Sequence, residues 1–280
     1  MVENFYDGKN IQFWDELAKI HFDKSDYNID SYDPQKYKLK SIEISELGNL
    51  TGKKVLHLQC HIGLDSFAIE MLGANVTAID YSSVAIDTAK CIKRKFGLKT
   101  KLYCANVYDL SSLNLGEFDF IFTSYGVIIW IQHLNLWAKT ISSHLKSGGE
   151  FIIIDEHPFA RMLSNPSQDN TSFNNSFISF HHLSGDPIKA NYKYSYANRD
   201  VLLKNQEQYV YFHSLSEIIT SLINEDMQLM KFKEFDKSFY KAFSQLFENE
   251  EGWWCFEHNT TSIPLMFLLR VKNIKNIKNI

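Results

Sequence analysis

The chain is 280 residues long, 45% hydrophobic and 22% charged, with a formal net charge of −4. That is the composition of a folded globular protein, and the acidic balance argues against a surface built to hold nucleic acid. Neither a signal pattern nor a long uncharged apolar run is visible, so the expectation is a cytoplasmic protein with no membrane partner.

In chain order, Ile11, Trp14, Leu17 and the Ile20–His21 pair recur at helical spacing. Asp33-Pro34 offers an N-cap and first position for a second helix across Tyr37 to Leu47, so residues 1–50 read as a helical cap. From Lys53 the pattern changes to alternating strands and helices, the mark of a parallel sheet. Strands are expected at Lys54 to Leu58, Asn75 to Ile79, Lys101 to Ala105, Phe118 to Thr123 and Glu150 to Asp155. The helices between them carry their own stops. One from Leu64 to Leu72 ends at Gly73, one capped by Ser82 or Ser83 ends at Gly97, and one marked by Leu134, Trp137, Ile141 and Leu145 ends at Gly148-Gly149. The cofactor-binding core is thus read as residues 51–157.

Residues 158–206 are rich in Asn, Ser, His, Phe and Tyr without a sustained period, which predicts an irregular insertion acting as a lid. Ser214-x-x-Glu217 is a capping box ahead of a helix, and strands at Leu229 to Phe235 and Ile263 to Val271 close the core over 207–271. The K-N-I repeats of residues 272–280 read as a solvated tail. A chain that ends helix, strand, long connection, strand can add its last strand in reverse. The expected fold is therefore a Rossmann-like, seven-stranded, mostly parallel sheet with the last strand antiparallel.

The most informative stretch is V-L-H-L-Q-C-H-I-G, Val55 to Gly63, followed by V-T-A-I-D ending at Asp80. A strand, a turn through one glycine, a helix, a second strand and a terminal acid form the unit that a nucleoside-bearing cofactor needs. A dinucleotide site would read G-x-G-x-x-G, so that a pyrophosphate rests on the helix N-terminus, but Gln59, His61 and Ser66 break that pattern. One glycine without a phosphate cradle suits a nucleoside ligand lacking phosphates, S-adenosylmethionine foremost. The cysteines at 60, 91, 104 and 255 form no C-x-x-C pair and follow no zinc spacing, so reduced thiols and no metal site are expected.

Residues from Gly52 to Pro158, with Ser214 to Lys272, resemble a class I S-adenosylmethionine-dependent methyltransferase. V-L-H-L-Q-C-H-I-G resembles the family's first motif, usually V-L-D-L-G-C-G-T-G. A-I-D-Y-S at 78–82 resembles the ribose-binding strand end, and A-N-V-Y-D-L at 105–110 the adenine-side loop. F-D-F-I-F-T-S-Y-G-V from 118 and L-K-S-G-G-E-F-I-I-I-D-E-H-P from 145 resemble the remaining core motifs. H-L-Q-C-H with E-H-P and a final I-P-L-x-F strand is similar to one bacterial subgroup of small-molecule-type methyltransferases. Departures fall at His57, Gln59, His61 and Asn106, where the family has Asp, Gly, Gly and an acid.

The resemblance implies cofactor contacts from Gln59, Cys60 and Gly63, with Asp80 on the ribose hydroxyls and Tyr81 stacked on the adenosine. Asn106 and Val107 would meet the adenine, although Asn106 equally suits an Asx turn; Ser124, Tyr125 and Gly126 would face the methyl group. The acceptor's proton has Glu156, His157 and His133 as candidate bases, with His181 and His182 behind them. Trp14, His21, Trp130, His181, Tyr194 and Trp254 are candidate walls of the chamber for a small-molecule acceptor. Two other readings stay open: a nicotinamide-dependent oxidoreductase, and a non-catalytic cofactor- or partner-binding protein on the same fold.

Overall fold

Helices α1 (Phe5–Asp23) and α2 (Ser41–Leu47) precede β1 (Lys54–His57), α3 (Leu64–Met71), β2 (Asn75–Asp80), α4 (Ser83–Phe96) and β3 (Lys101–Cys104) in the computed structural model. A 3-10 turn over Val107–Leu113, β4 (Phe118–Ser124), α5 (Leu134–His144) and β5 (Leu145–Glu156) complete the alternating region. After α6 (Pro158–Leu163) come β6 (Ile188–Asn191), β7 (Tyr194–Ser195), β8 (Asn198–Leu202) and β9 (Glu207–Val210). The chain continues through α7 (Leu215–Ile223), β10 (Met227–Phe235), β11 (Lys237–Ser238), β12 (Phe247–Glu248), β13 (Trp254–Cys255) and β14 (Met266–Asn273). The structure describes residues 5–23, 32–163, 186–195, 198–257 and 262–275.

The main sheet has seven strands in the order β10-β14-β5-β4-β1-β2-β3. β1 to β5 pair in parallel, and β14 lies antiparallel between β5 and β10. β14 is therefore the one reversed strand of that sheet. Its ladder reaches Asn273, two residues beyond the expected end, because the Asn273 amide donates to the carbonyls of Ser142 and Leu145 and anchors the strand there.

Strand order reverses at β1. Successive units step toward β3 on one side and toward β5 on the other, which opens a crevice between the carboxyl ends of β1 and β4. One sheet face packs Ile121, Phe151 and Phe267 against Trp137 and Ile141 of α5 and Ile218 and Leu222 of α7. The other packs Val55, Phe122 and Ile152 against Ile42 and Leu47 of α2, Ile69 of α3 and Ile86 of α4.

Several local signals hold as read. The Ser82 side chain accepts from Ala85 N at the start of α4, and Gly97 ends that helix in the left-handed conformation. Ser214 and Glu217 form a complete capping box on α7. Two elements of the core and cap differ from expectation. Asp33-Pro34 caps only an isolated turn, with Lys36 and Tyr37 amides on the Asp33 carbonyl, and the second helix waits until Ser41. β5 begins at Leu145, directly after α5, with a register shift opposite Phe118–Phe120 that absorbs the Gly148-Gly149 pair. Gly149 has no room for a side chain there, since a Cβ would stand 3.0 Å from the carbonyl oxygens of Lys146 and Phe118.

The insertion is not wholly irregular. Its described parts fold as α6, β6 and an antiparallel β7–β8 pair, and β6 pairs antiparallel with β9 just beyond the expected boundary. Those ladders run for two to five residues, too short for a period to show in the sequence. Residues 164–185, on which part of the lid expectation rests, lie outside the described residues. No helix among the described residues is long and apolar enough to cross a membrane.

Candidate active site

The loop after β1 is anchored by backbone hydrogen bonds at both ends. Leu58 donates to Phe122 O at 2.9 Å and Cys60 to Ile79 O at 2.8 Å. Between and beside these anchors Gln59 and His61 stand at φ +48° and +49°, a left-handed conformation that costs L-residues and that glycine adopts freely. The conformation persists because Asp80, at the end of β2, takes the His61 amide on Oδ2 at 2.7 Å. The Asp80 Oδ1 takes the Ser82 amide at 2.9 Å, so one carboxylate fixes two turns. Burial, reinforced by the nearby Asp15 charge and opposed by these amide bonds, pushes the Asp80 pKa up to about 6.

Gly63 sits at φ +82° as the N-cap of α3. A Cβ there would stand 3.2 Å from Phe67 Cζ and 3.3 Å from Ala89 Cβ. The glycine is therefore needed for close packing of α3 and α4 as well as for its backbone angle. Cys60 is buried, with burial raising its thiol pKa well above the usual value. His57 occupies the strand end where an acid was expected from the resemblance. Its Nδ1 lies 2.7 Å from Ser66 Oγ on α3, and burial lowers its pKa to about 3, so it is a neutral linker between β1 and α3.

On the β3 side, the Asn106 side-chain oxygen accepts the Tyr108 amide at 3.0 Å and caps the 3-10 turn. Its Asx-turn role is thus realised. Val107 is buried in the core, and Tyr81 is 37% exposed beside Asp80.

The β4 side depends on Asp155, which the sequence reading did not single out. Tyr125 and Gly126 both have positive φ, +61° and +77°. Asp155, fully buried near the end of β5, accepts the amides of Gly126 at 2.5 Å, Val127 at 2.9 Å, Ile128 at 2.8 Å and Glu156 at 2.7 Å. Burial raises its pKa while the four amides pull it down. The available signal was an acid closing an apolar strand, I-I-I-D, directly after buried positions. A Cβ on Gly126 would enter open space.

The expected bases are placed less favourably. Glu156 is buried in an ion pair with Arg161 and accepts the Tyr240 hydroxyl at 2.9 Å. His157 Nδ1 accepts the Phe159 amide at 3.0 Å, and its Nε2 faces Glu234 of β10 at 2.9 Å, so both ring nitrogens serve structure at the β10 edge. His133 is exposed at the start of α5, its ring 6.0 Å from that of Tyr108.

Helix α1 is clamped over the crevice. Asp15 accepts Ser82 Oγ at 2.5 Å, Asn10 bonds the Tyr209 backbone in both directions, and Glu16 takes the Lys204 and Asn205 amides. His21 is fully buried, with Nδ1 2.8 Å from His61 Nε2 and Nε2 2.8 Å from Ser195 Oγ. This joins α1, the loop after β1 and β7 in one chain of hydrogen bonds. Burial lowers the His21 pKa to about 2, with the His61 ring adding to the shift, and burial lowers that of His61 to about 4, so both are neutral.

Trp14 stands edge-on to His61 at 5.5 Å and to Trp130 at 5.3 Å, and Phe13 stacks on Trp130 at 6.0 Å. Trp14, His21 and Trp130 thus come together at the mouth, with Ser195, next to Tyr194 on β7. Trp254 lies elsewhere, packed with Phe243, Leu246 and Leu265 beneath Lys241. His181 lies outside the described residues. Among the described residues no group of His, Cys, Asp and Glu could hold a metal ion.

Residues 55–149 match a family model described as a methyltransferase domain. A curated relative, "Ubiquinone biosynthesis O-methyltransferase" of Bordetella avium, is 28% identical over 107 residues, 38% of this chain and 44% of the relative. The match therefore spans less than half the length of that relative. An S-adenosylmethionine-dependent methyltransferase structure from Clostridium acetobutylicum superposes with a TM-score of 0.57 at 18% identity, covering 93% of this chain and 98% of its own. A second, from Mesorhizobium loti, gives 0.53 at 16% identity over 88% and 100%. Residues 55–149 thus carry a methyltransferase domain, and the chain shares its sheet order and overall fold with solved S-adenosylmethionine-dependent methyltransferases.

Proposed function

We propose that this protein transfers the methyl group of S-adenosylmethionine to a small-molecule acceptor, with the cofactor laid across the carboxyl ends of β2, β1 and β4. The observation that carries this reading is Asp80. Its carboxylate uses two of about four acceptor positions on the His61 and Ser82 amides, leaving the others for the two ribose hydroxyls. The loop beside it contains one glycine, and Asp65 occupies the first turn of α3, where a pyrophosphate would need positive potential. That arrangement favours a nucleoside sulfonium over a dinucleotide.

Bound S-adenosylmethionine supplies the electrophilic methyl itself; the protein's task is to hold the nucleophile in line and keep water out. Asp80 orients the ribose, Asn106 offers its amide toward the adenine, and the Tyr125–Gly126 turn, held by Asp155, shapes the wall nearest the methyl. Trp14, Trp130 and Phe13 form an aromatic wall on the acceptor side, suited to an apolar or planar molecule. Glu156 and His157 are committed to structural partners and His133 is exposed, so no base is assigned among them. The net charge of −4 and the free cysteines fit a cytoplasmic enzyme acting on a diffusible acceptor rather than on nucleic acid.

Melting curves test the choice of cofactor. S-adenosylmethionine or its product homocysteine analogue at about 100 times its Kd is expected to stabilise the native protein by about 2.7 kcal/mol, and NAD by nothing measurable. Stabilisation by NAD alone would favour the oxidoreductase reading. Binding of the product without its release in the presence of any acceptor extract would favour a non-catalytic protein.

A further inference from the structure

Two carboxylates on α2 are treated differently by the fold. Glu46 faces cations, with Lys231 Nζ at 2.5 Å and Arg270 at 3.6 Å. Glu43, one turn earlier, is 1% exposed, and its buried Oε2 has no hydrogen-bond partner. The side chains that face it are Tyr125 after β4, Asp65 of α3 and Lys40 before α2, with Tyr37 donating to Asp65 at 2.7 Å. The Tyr125 hydroxyl is buried within interacting range of Glu43, yet it too completes no well-formed hydrogen bond. Lys40 is the nearby cation, but its ammonium is spent on the Gly252 carbonyl at 2.7 Å and over the Trp253 ring.

A buried carboxylate without a cation is costly and takes up a proton more readily, and a cationic group reaching it would favour the ionised form. Burial, with Asp65 adding its charge, pushes the Glu43 pKa up to about 7. The missing partner is positive.

Its identity follows from position. With the ribose on Asp80, the adenine lies toward β3, and the remainder of the cofactor must run across β1 toward β4, where Tyr125 stands. That remainder ends in an amino acid bearing an ammonium. We propose that Glu43, with Asp65, Tyr37 and Tyr125 around it, forms the recess that receives the α-ammonium group of the cofactor's methionine half. The assignment rests on the cofactor reading given above.

Calorimetry with two nucleosides separates the two claims. S-adenosylhomocysteine carries the ammonium; 5′-methylthioadenosine has the same adenosine and thioether without it. Glu43→Gln keeps shape and removes charge, and its melting temperature at pH 8 should equal or exceed that of the wild type. The variant is expected to bind S-adenosylhomocysteine 10- to 100-fold more weakly and 5′-methylthioadenosine within twofold of wild type. Because the ionised carboxylate is the binding form and its pKa stands near 7, wild-type affinity for S-adenosylhomocysteine should rise from pH 6.5 to 8. That rise should be absent for 5′-methylthioadenosine and in Glu43→Gln, whereas any contribution from Asp80 is common to both ligands. Equal losses for both nucleosides, or no loss for either, would overturn the recess. A wild-type protein that binds neither would overturn the cofactor reading and the recess with it.

Discussion

Replacing Gly63 by valine is expected to destabilise the protein by about 3–5 kcal/mol, a large part of a typical total stability. Two costs add. At φ +82° a β-branched residue meets its own backbone, at roughly 1–2 kcal/mol. The new side chain also enters a space already filled by Phe67 and Ala89, at contacts of 3.2 to 3.4 Å for the Cβ alone, and neither α3 nor α4 can retreat without disturbing the core that holds Ile69 and Ile86. For a chain of this size the loss corresponds to a fall in Tm of about 5–9 °C. Gly126→Ala is the natural contrast, because φ is again positive, +77°, but a Cβ finds open space. It should cost about 1 kcal/mol. Equal melting of the two variants would mean that crowding at Gly63 is not what the residue avoids.

Asp155→Ala should cost about as much, roughly 3–5 kcal/mol, for a different reason. Four amides lose their common acceptor at once, and those of Val127, Ile128 and Glu156 stand in buried surroundings where an unpaired N–H is expensive. The turn at Tyr125 and Gly126 has positive φ at two successive residues and nothing else to enforce it so directly, so it should relax first. The expected readouts are a melting temperature lowered by about 5–9 °C and faster proteolysis between residues 125 and 128. Melting within about 2 °C of wild type would show that the carboxylate is not the anchor of that turn.

These two residues mark what local sequence signals could and could not reveal. Gly63, Asp80, the Ser82 cap and the Ser214–Glu217 capping box are legible because each acts over a few residues with a fixed spacing. The mostly parallel sheet with its reversed last strand is legible from the alternation of elements and from the closing strand pair. Asp155 and Glu43 are not, because their meaning depends on what lies opposite across long sequence distances: Gly126 is 29 residues from Asp155, and Tyr125 comes from another element than Glu43. His21 and His61 meet across 40 residues for the same reason. The left-handed angles at Gln59, His61 and Tyr125 break the expectation that glycine alone takes such positions; Asp80, the Ile79 carbonyl and Asp155 hold them there from outside. The structural partners of Glu156 and His157 were not legible, because proximity to a strand end says nothing about which way a side chain's partners lie. His157 reaches sideways to Glu234, and Glu156 downward to Arg161 and Tyr240.

The claim on which the functional account stands is that Asp80 grips the ribose of an adenosyl ligand. Titrating S-adenosylhomocysteine into the wild type and into Asp80→Ala by calorimetry tests it, with melting curves confirming that the variant is folded at the temperature used. The account predicts saturable binding to the wild type and a loss of about 1.5–3 kcal/mol in the variant, roughly 10- to 150-fold in Kd. A folded Asp80→Ala protein that binds S-adenosylhomocysteine as tightly as the wild type would contradict it.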